Sequence, residues 1–331
     1  MVCRLAGTAV TDWRRAMEAQ VDTAEWWTTA AGQKYGQGFL EAFNKTDYPQ
    51  NPITGDLARH EYLQLRGADT YTVTEEMMDV VETASTDMPS QPLRPEDLPS
   101  TFGFLYLPRS YYIIDIRGNK CNVRAIRWGP LEPTYGRGVM ISFYSDISDP
   151  SDYDTRHLHK IRQAGLILLH PQPWSYGHGV DDFSNAVTRP HRTKISEEAV
   201  PSEIWSLRFV VAFWNLCRGW ADVEVYHPTE RHVRKRLVRS GIWGDTPTVR
   251  VVTLRKRRSK NEEGNGRDVE WSHRWICNVG WRQQHYPSMG PAYIDGKWNP
   301  DSHRLVYVMP FVKGPADKPL VVKKSVYRLA R

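Results

Sequence analysis

Apolar residues recur at three- and four-residue spacing through the first hundred positions, the period of helices that bury one stripe. Thr11-Asp12 can cap a helix carrying Trp13, Met17 and Val21, and Thr23 can cap a second that holds Trp26, Trp27, Ala30 and Ala31. A third run, Gly38 to Phe43, stops before "NKTDYPQNP". Two further helices are expected at Asp56 to Leu65 and at Thr74 to Ala84; the second opens on Thr-x-Glu and carries Met77, Met78, Val80 and Val81. The proline-rich "MPSQPLRPEDLPS" then interrupts regular structure and reads as a boundary near residues 88–100.

From Phe102 the period shortens to two. "FGFLYL", "YYIIDI", "NVRAIRW" and "GVMISFY" are rich in β-branched and aromatic residues, and Gly118-Asn119 suits the turn of a hairpin in "DIRGNKCNV". "GLILLHPQPW" begins as a buried strand and is expected to lose regularity at its prolines. A helix starting near Pro201 is apolar nearly all round, with Ile204, Leu207, Val211, Phe213, Trp214 and Leu216, which predicts a core helix. "ADVEVYHP" leaves it, and "TERHVRKRLVRSG" predicts a basic helix over 229–240 that Gly241 can terminate. "PTVRVVTLRKR", "VEWSHRWICNVGW", "HRLVYVMPFV" and "LVVKKSVYRL" follow as strands.

These patterns predict an α+β fold: a helical N-terminal region, then mostly antiparallel β segments around a core helix, and a small C-terminal sheet. The expected division is a helical region over residues 1–100 and a mixed α+β domain over 101–331, the latter containing the basic helix 229–240 and a β-ribbon over 248–282.

Composition narrows the class. The 331 residues are 40% hydrophobic and 25% charged, ordinary globular values, while 22 prolines and 23 glycines imply many turns. Cys3, Cys121, Cys217 and Cys277 are far apart and give neither a zinc knuckle nor a disulfide framework. No stretch approaches a membrane span, and the N-terminus lacks the apolar core of a secretory signal, so a cytoplasmic protein without membrane partners is expected. The net charge of +6 is unevenly spread, because the basic residues gather between Arg218 and Lys260.

That gathering supplies the leading functional expectation. Arg231, Arg234, Lys235 and Arg239 cover the polar side of the basic helix, and Arg255, Arg257 and Arg258 follow on the next strand. A core helix, an extended segment, a basic helix and a basic ribbon in that order resemble the end of a winged helix. In "VEWSHRWICNVGWRQQHYPS" a period of two puts Trp271, His273, Trp275 and Trp281 on one face and turns Arg274 and Arg282 to the other, where they can meet phosphates. Beyond Trp281 the alternation fails, and "RQQHYPS" is expected to be a loop able to hydrogen-bond or stack on a base.

Enzymatic chemistry has a weaker basis. His273, His285, Arg282 and Tyr286 could assemble a metal-independent ribonuclease site, with histidine moving protons and arginine holding the phosphate. No metal site or cofactor is expected, since His157, His159, His170 and His178 have no defensible ligand spacing and "GQKYGQG" lacks the lysine-serine end of a phosphate loop.

The blocks "VEWSHRW", "GWRQQHYPS" and "VYVMPFVKGPADKPLVVKKSVYRL", with "NKCNVRAIRW" and "VVTLRKRR" before them, resemble a group of actinobacterial and actinophage proteins without an established activity. The resemblance implies a bacterial or phage-infected cytoplasm and a mobile-element setting, and it transfers no catalytic residue. The expectation is therefore a regulatory or host-interfering nucleic-acid-binding protein, DNA and RNA undistinguished. A toxin-like ribonuclease and a module whose exposed tryptophans bind a host protein are the alternatives.

Overall fold

A computed structural model describes residues 9–44, 56–114, 120–131, 137–147, 165–177, 199–219, 221–226, 235, 248–254, 274–277, 280–308, 311–313 and 320–321. The fold is α+β, and the chain forms two compact units, Met1–Leu254 and Arg255–Arg331.

The first unit is built on a seven-stranded mixed sheet. Its strands are β1 (Asp69–Val73), β2 (Gly103–Ile114), β3 (Lys120–Pro130), β4 (Gly138–Asp146), β5 (Leu166–Ser175), β6 (Ala221–Tyr226) and β7 (Val249–Leu254), in the order β5-β4-β3-β2-β1-β7-β6. Most neighbours are antiparallel, but β1 runs parallel to both β2 and β7. Helices α1 (Ala9–Thr28), α2 (Ala30–Asn44) and α3 (Leu57–Gly67) cover one face, and α4 (Glu75–Thr86) and α5 (Ala199–Gly219) cover the other. Strand alternation supplies both cores: Phe104 and Tyr144 pack toward Trp26, Trp27 and Leu65, while Tyr71 and Trp128 meet Phe213 and Trp214 on the opposite side.

Several expected elements are present where capping chemistry marks them. Asp56 accepts the Arg59 N–H at the start of α3, and Thr74 accepts the Met77 N–H at the start of α4. The expected cap at Thr23 is not one. Trp13, Ala16, Met17, Gln20, Val21, Ala24 and Trp27 make an unbroken buried stripe, so α1 runs through Thr23, whose hydroxyl donates to the Ala19 carbonyl. The chain turns at Thr29 instead, where the hydroxyl accepts the Gly32 N–H and opens α2; this corner brings Trp26, Trp27 and Tyr35 into ring contact.

Strand β2 joins two segments that pattern alone separates. Its register to β3 shifts between Tyr106 and Tyr111, and Pro108, which lacks an N–H for the ladder, lies in the irregular stretch. Arg124 closes it by donating to the Pro108 carbonyl at 2.7 Å and to the Tyr106 hydroxyl at 3.2 Å. Strand β5 continues through Pro171 and Pro173 because it is an edge strand.

Two buried polar clusters tie the elements of this unit together. Gln20 of α1 donates to the Leu65 and Ala68 carbonyls at 2.8 and 2.9 Å and accepts from the Thr70 hydroxyl, which ties α1 to the end of α3 and to β1. Glu61 and Arg127 form a fully buried ion pair between α3 and β3. Arg127 also donates to Ser142 at 2.6 Å and Gln64 at 3.3 Å, and the Tyr144 hydroxyl donates to Glu61. Burial pushes the Glu61 carboxyl upward, but the Arg127 charge, His60 and the hydrogen bonds from Arg127 and Tyr144 outweigh it, so the group titrates below its ordinary value.

Two expectations of organisation give way. The proline-rich segment does not divide helical from mixed structure: β1, which the helical pattern of the first hundred residues hid, pairs directly with β2. Residues 248–282 do not form one ribbon either. Val249–Leu254 is inserted between β1 and β6, where Val249 and Val251 pack against the apolar side of α1. β7 pairs with β6 and β1 in the main sheet and so is not the first strand of a separate two-strand wing, while the basic helix expected over 229–240 lies outside the described residues except for Lys235. Among the described residues no helix is long and apolar enough to cross a membrane.

In the second unit, β8 (Arg274–Cys277), β9 (Trp281–His285), β10 (Tyr293–Ile294), β11 (Lys297–Trp298), β12 (His303–Tyr307), β13 (Phe311–Lys313) and β14 (Leu320–Val321) make three small sheets. β8 lies between antiparallel β13 and parallel β14, β9 pairs with β12, and β10 with β11. The single strand expected from Val269 to Trp281 is thus not continuous: β8 and β9 belong to different sheets.

Candidate nucleic-acid interface

The second unit concentrates positive charge. Residues 255–331 hold 16 Lys and Arg against 7 Asp and Glu, a net +9, whereas residues 1–254 hold 28 against 31, a net −3. A chain that is mildly basic overall is therefore an acidic unit joined to a strongly basic one.

The β9–β12 ribbon carries the described candidates. "RQQHY" was expected to be a loop, yet Arg282 to His285 form a strand, because "HRLVY" supplies a partner in the register Trp281↔Tyr307, Gln283↔Leu305 and His285↔His303. Those three pairs share one face. Arg282, Gln284 and Arg304 occupy the other, where the exposed Arg282 donates to the Gln284 side chain at 3.1 Å and the half-buried Arg304 donates to Met289 Sδ at 3.1 Å.

On the first face the rings form a row. His285 and His303 have centroids 5.2 Å apart, and Trp298 lies 5.0 Å from His303. The Trp298 indole N–H donates to His303 Nε2 at 3.2 Å, and His303 Nδ1 donates to the Asn299 carbonyl at 2.7 Å. Both imidazole nitrogens of His303 are thus engaged, Nε2 as acceptor and Nδ1 as donor. His285 uses Nε2 to donate to the Gly290 carbonyl at 2.9 Å.

Asn299 holds this corner together. It is buried; its N–H donates to the Ala292 carbonyl and its amide to the Pro291 carbonyl, both at 2.9 Å, and its side-chain oxygen accepts the Asp301 N–H. Between its partners the chain reverses at Asp295-Gly296, with φ of 49° and 74°, the paired positive values of a two-residue hairpin turn. The β10–β11 hairpin consequently projects Tyr293, Ile294 and Trp298, which are 63%, 53% and 47% exposed.

The remaining candidates fall as follows. Arg231, Arg234, Arg239, Arg255, Arg257, Arg258 and His273 lie outside the described residues. Lys235 is helical and exposed, and Arg274 lies on β8 opposite Leu320. Tyr286 is half-buried at the end of β9, where its N–H donates to the Ser302 carbonyl at 2.8 Å. Arg282 and His285 project from opposite faces of the ribbon, so this ribbon does not bring arginine and histidine to one reacting phosphate. Among the described residues no group of three or more His, Cys, Asp and Glu could hold a metal ion.

Sequence reasoning overlooked Tyr293, Trp298, Asn299, His303 and Arg304. One signal was available, since Asp-Gly between "YI" and "KW" is a strong hairpin dipeptide. His303 has no comparable mark, because its role comes from pairing opposite His285. No protein-family model matches the chain, and a search of curated proteins returned no significant match.

Proposed function

We propose that the protein binds nucleic acid through its C-terminal unit, in a bacterial or phage-infected cytoplasm, as a regulatory or host-interfering factor. The observation that carries this reading is the charge partition: +9 on residues 255–331 against −3 on the rest. A polyanion gains affinity there by counterion release, and Arg282, exposed on β9, is free to reach its phosphates. Arg255, Arg257 and Arg258 are part of this positive charge, whereas Arg231, Arg234, Lys235 and Arg239 belong to the sequence of the first unit.

Binding is favoured over ribonuclease chemistry by the ribbon geometry: His303 has both nitrogens committed, and His285 faces away from Arg282. Fluorescence anisotropy with a labelled 20-mer, in single-stranded and duplex form across a salt series, tests the proposal. Affinity that falls steeply and log-linearly with salt is expected; no binding even at low salt refutes it. Labelled RNA that stays intact beside the protein, with and without chelator, separates binding from cleavage.

A further inference from the structure

We infer that the β10–β11 hairpin is a stacking platform for unpaired bases, so that the nucleic acid held by the C-terminal unit is single-stranded. This rests on the nucleic-acid reading above and specifies its ligand. Of the large apolar side chains exposed among the described residues, Tyr293, Ile294 and Trp298 come from one six-residue hairpin. Tyr293 and Trp298 are direct cross-strand partners, hence side by side on one face of the hairpin.

The platform is rigid before any ligand arrives. Asp295-Gly296 sets the turn, Asn299 clamps its base to Pro291 and Ala292, and the His303 imidazole both backs the Trp298 ring and accepts its indole N–H. The polar edge of Trp298 is therefore satisfied while much of its ring remains open. A ring oriented in this way can receive a base without losing side-chain freedom on binding.

Charge selects the occupant. An apolar protein partner would need no cationic surroundings, whereas these rings belong to a unit of net +9 and Lys297 stands between them in sequence, with Asp295 the single opposing charge in the hairpin. Aromatic faces carried by a unit of net positive charge match the alternating bases and phosphates of a single strand. A duplex hides its base faces in the stack, so the same rings offer it little.

The test uses the full chain with fluorescein-labelled oligo(U) and oligo(dT) 20-mers and a mixed-sequence 20-base-pair duplex. Tyr293→Ala and Trp298→Ala are each expected to weaken single-strand binding about 10-fold and to leave duplex binding within about 2-fold. Because Trp298→Ala also removes the His303 contact, Tyr293→Ala decides the matter, and Tyr293→Phe should retain wild-type affinity. Ultraviolet cross-linking of 5-iodouridine-substituted RNA, mapped by mass spectrometry, should mark the peptide spanning residues 292–298. Equal oligo(U) and oligo(dT) affinities indicate stacking without recognition of the 2′-hydroxyl; a preference for one names the source. If single strands and duplex bind but Tyr293→Ala changes neither, or both alike, the platform is refuted and the electrostatic reading stands. If neither binds, both fall.

Discussion

Trp298 donates its indole N–H to His303 Nε2 at 3.2 Å while the two rings lie 5.0 Å apart, so one histidine fixes both the polar edge and the plane of an exposed tryptophan. Replacing His303 with Ala leaves that N–H without its partner and the Asn299 carbonyl with only the Ser302 hydroxyl. The expected cost is about 1–3 kcal/mol of local stability. Hydrogen exchange by mass spectrometry over residues 291–305 should accelerate by about 5- to 150-fold, and His303→Asn, which can restore the donor to Asn299, should recover part of the protection.

The exposed Arg282 and half-buried Arg304 share a face of the ribbon. If each neutralises one phosphate, Arg282→Ala and Arg304→Ala should each lower the salt slope of binding by about 0.7 for single strands and weaken affinity across sequences. Lysine at position 282 should keep the slope, because the contact depends on charge. Anisotropy titrations at four salt concentrations measure both quantities.

Glu61 and Arg127 are fully buried and paired, so Glu61→Gln strands the guanidinium and should cost about 3–5 kcal/mol. The double variant Glu61→Gln/Arg127→Met should be more stable than the single one. The pH dependence has a definite sign. Because folding lowers the Glu61 pKa from 4.5, its contribution is complete above that value and is lost as pH falls through it toward the folded-state value. Urea unfolding between pH 7 and pH 3 should show a shallower acid limb for the double variant.

Gly103 lies opposite Trp128, and a Cβ there would come within 2.0 Å of the indole. Trp128 is fully buried among Tyr71, Phe213 and Trp214, so it has no room to withdraw. Gly103→Ala should destabilise the first unit by about 1–3 kcal/mol, visible as a lower thermal midpoint.

Local chemistry made some elements legible. Asp56 and Thr74 have short acceptors that satisfy the first N–H groups of a helix, and both helices begin beside them. The nearly all-apolar Leu207 to Leu216 could only be a core helix, and it is one. Thr23 has the same acceptor as Thr74, but a cap forms only where the helix stops, and the buried stripe of α1 carries the helix past it to Thr29. For the candidate site, Arg282, His285 and Tyr286 were recognised as chemistry-bearing residues, yet their separation onto two faces depended on a strand register that no local pattern specified.

Sequence by itself determined the α+β class, the helix starts at Asp56 and Thr74, the antiparallel run through β2, β3 and β4, and the C-terminal bias of positive charge. These follow from periodicity, capping and composition, which act over a few residues or need no coordinates. Tertiary structure alone decided that β1 and β7 lie side by side in one sheet although 175 residues separate Val73 from Val249, that "RQQH" is a strand, and that Trp298 meets His303. Pairing partners and ring contacts depend on which distant segments fold together, and the same residues would serve as loop or core under another pairing.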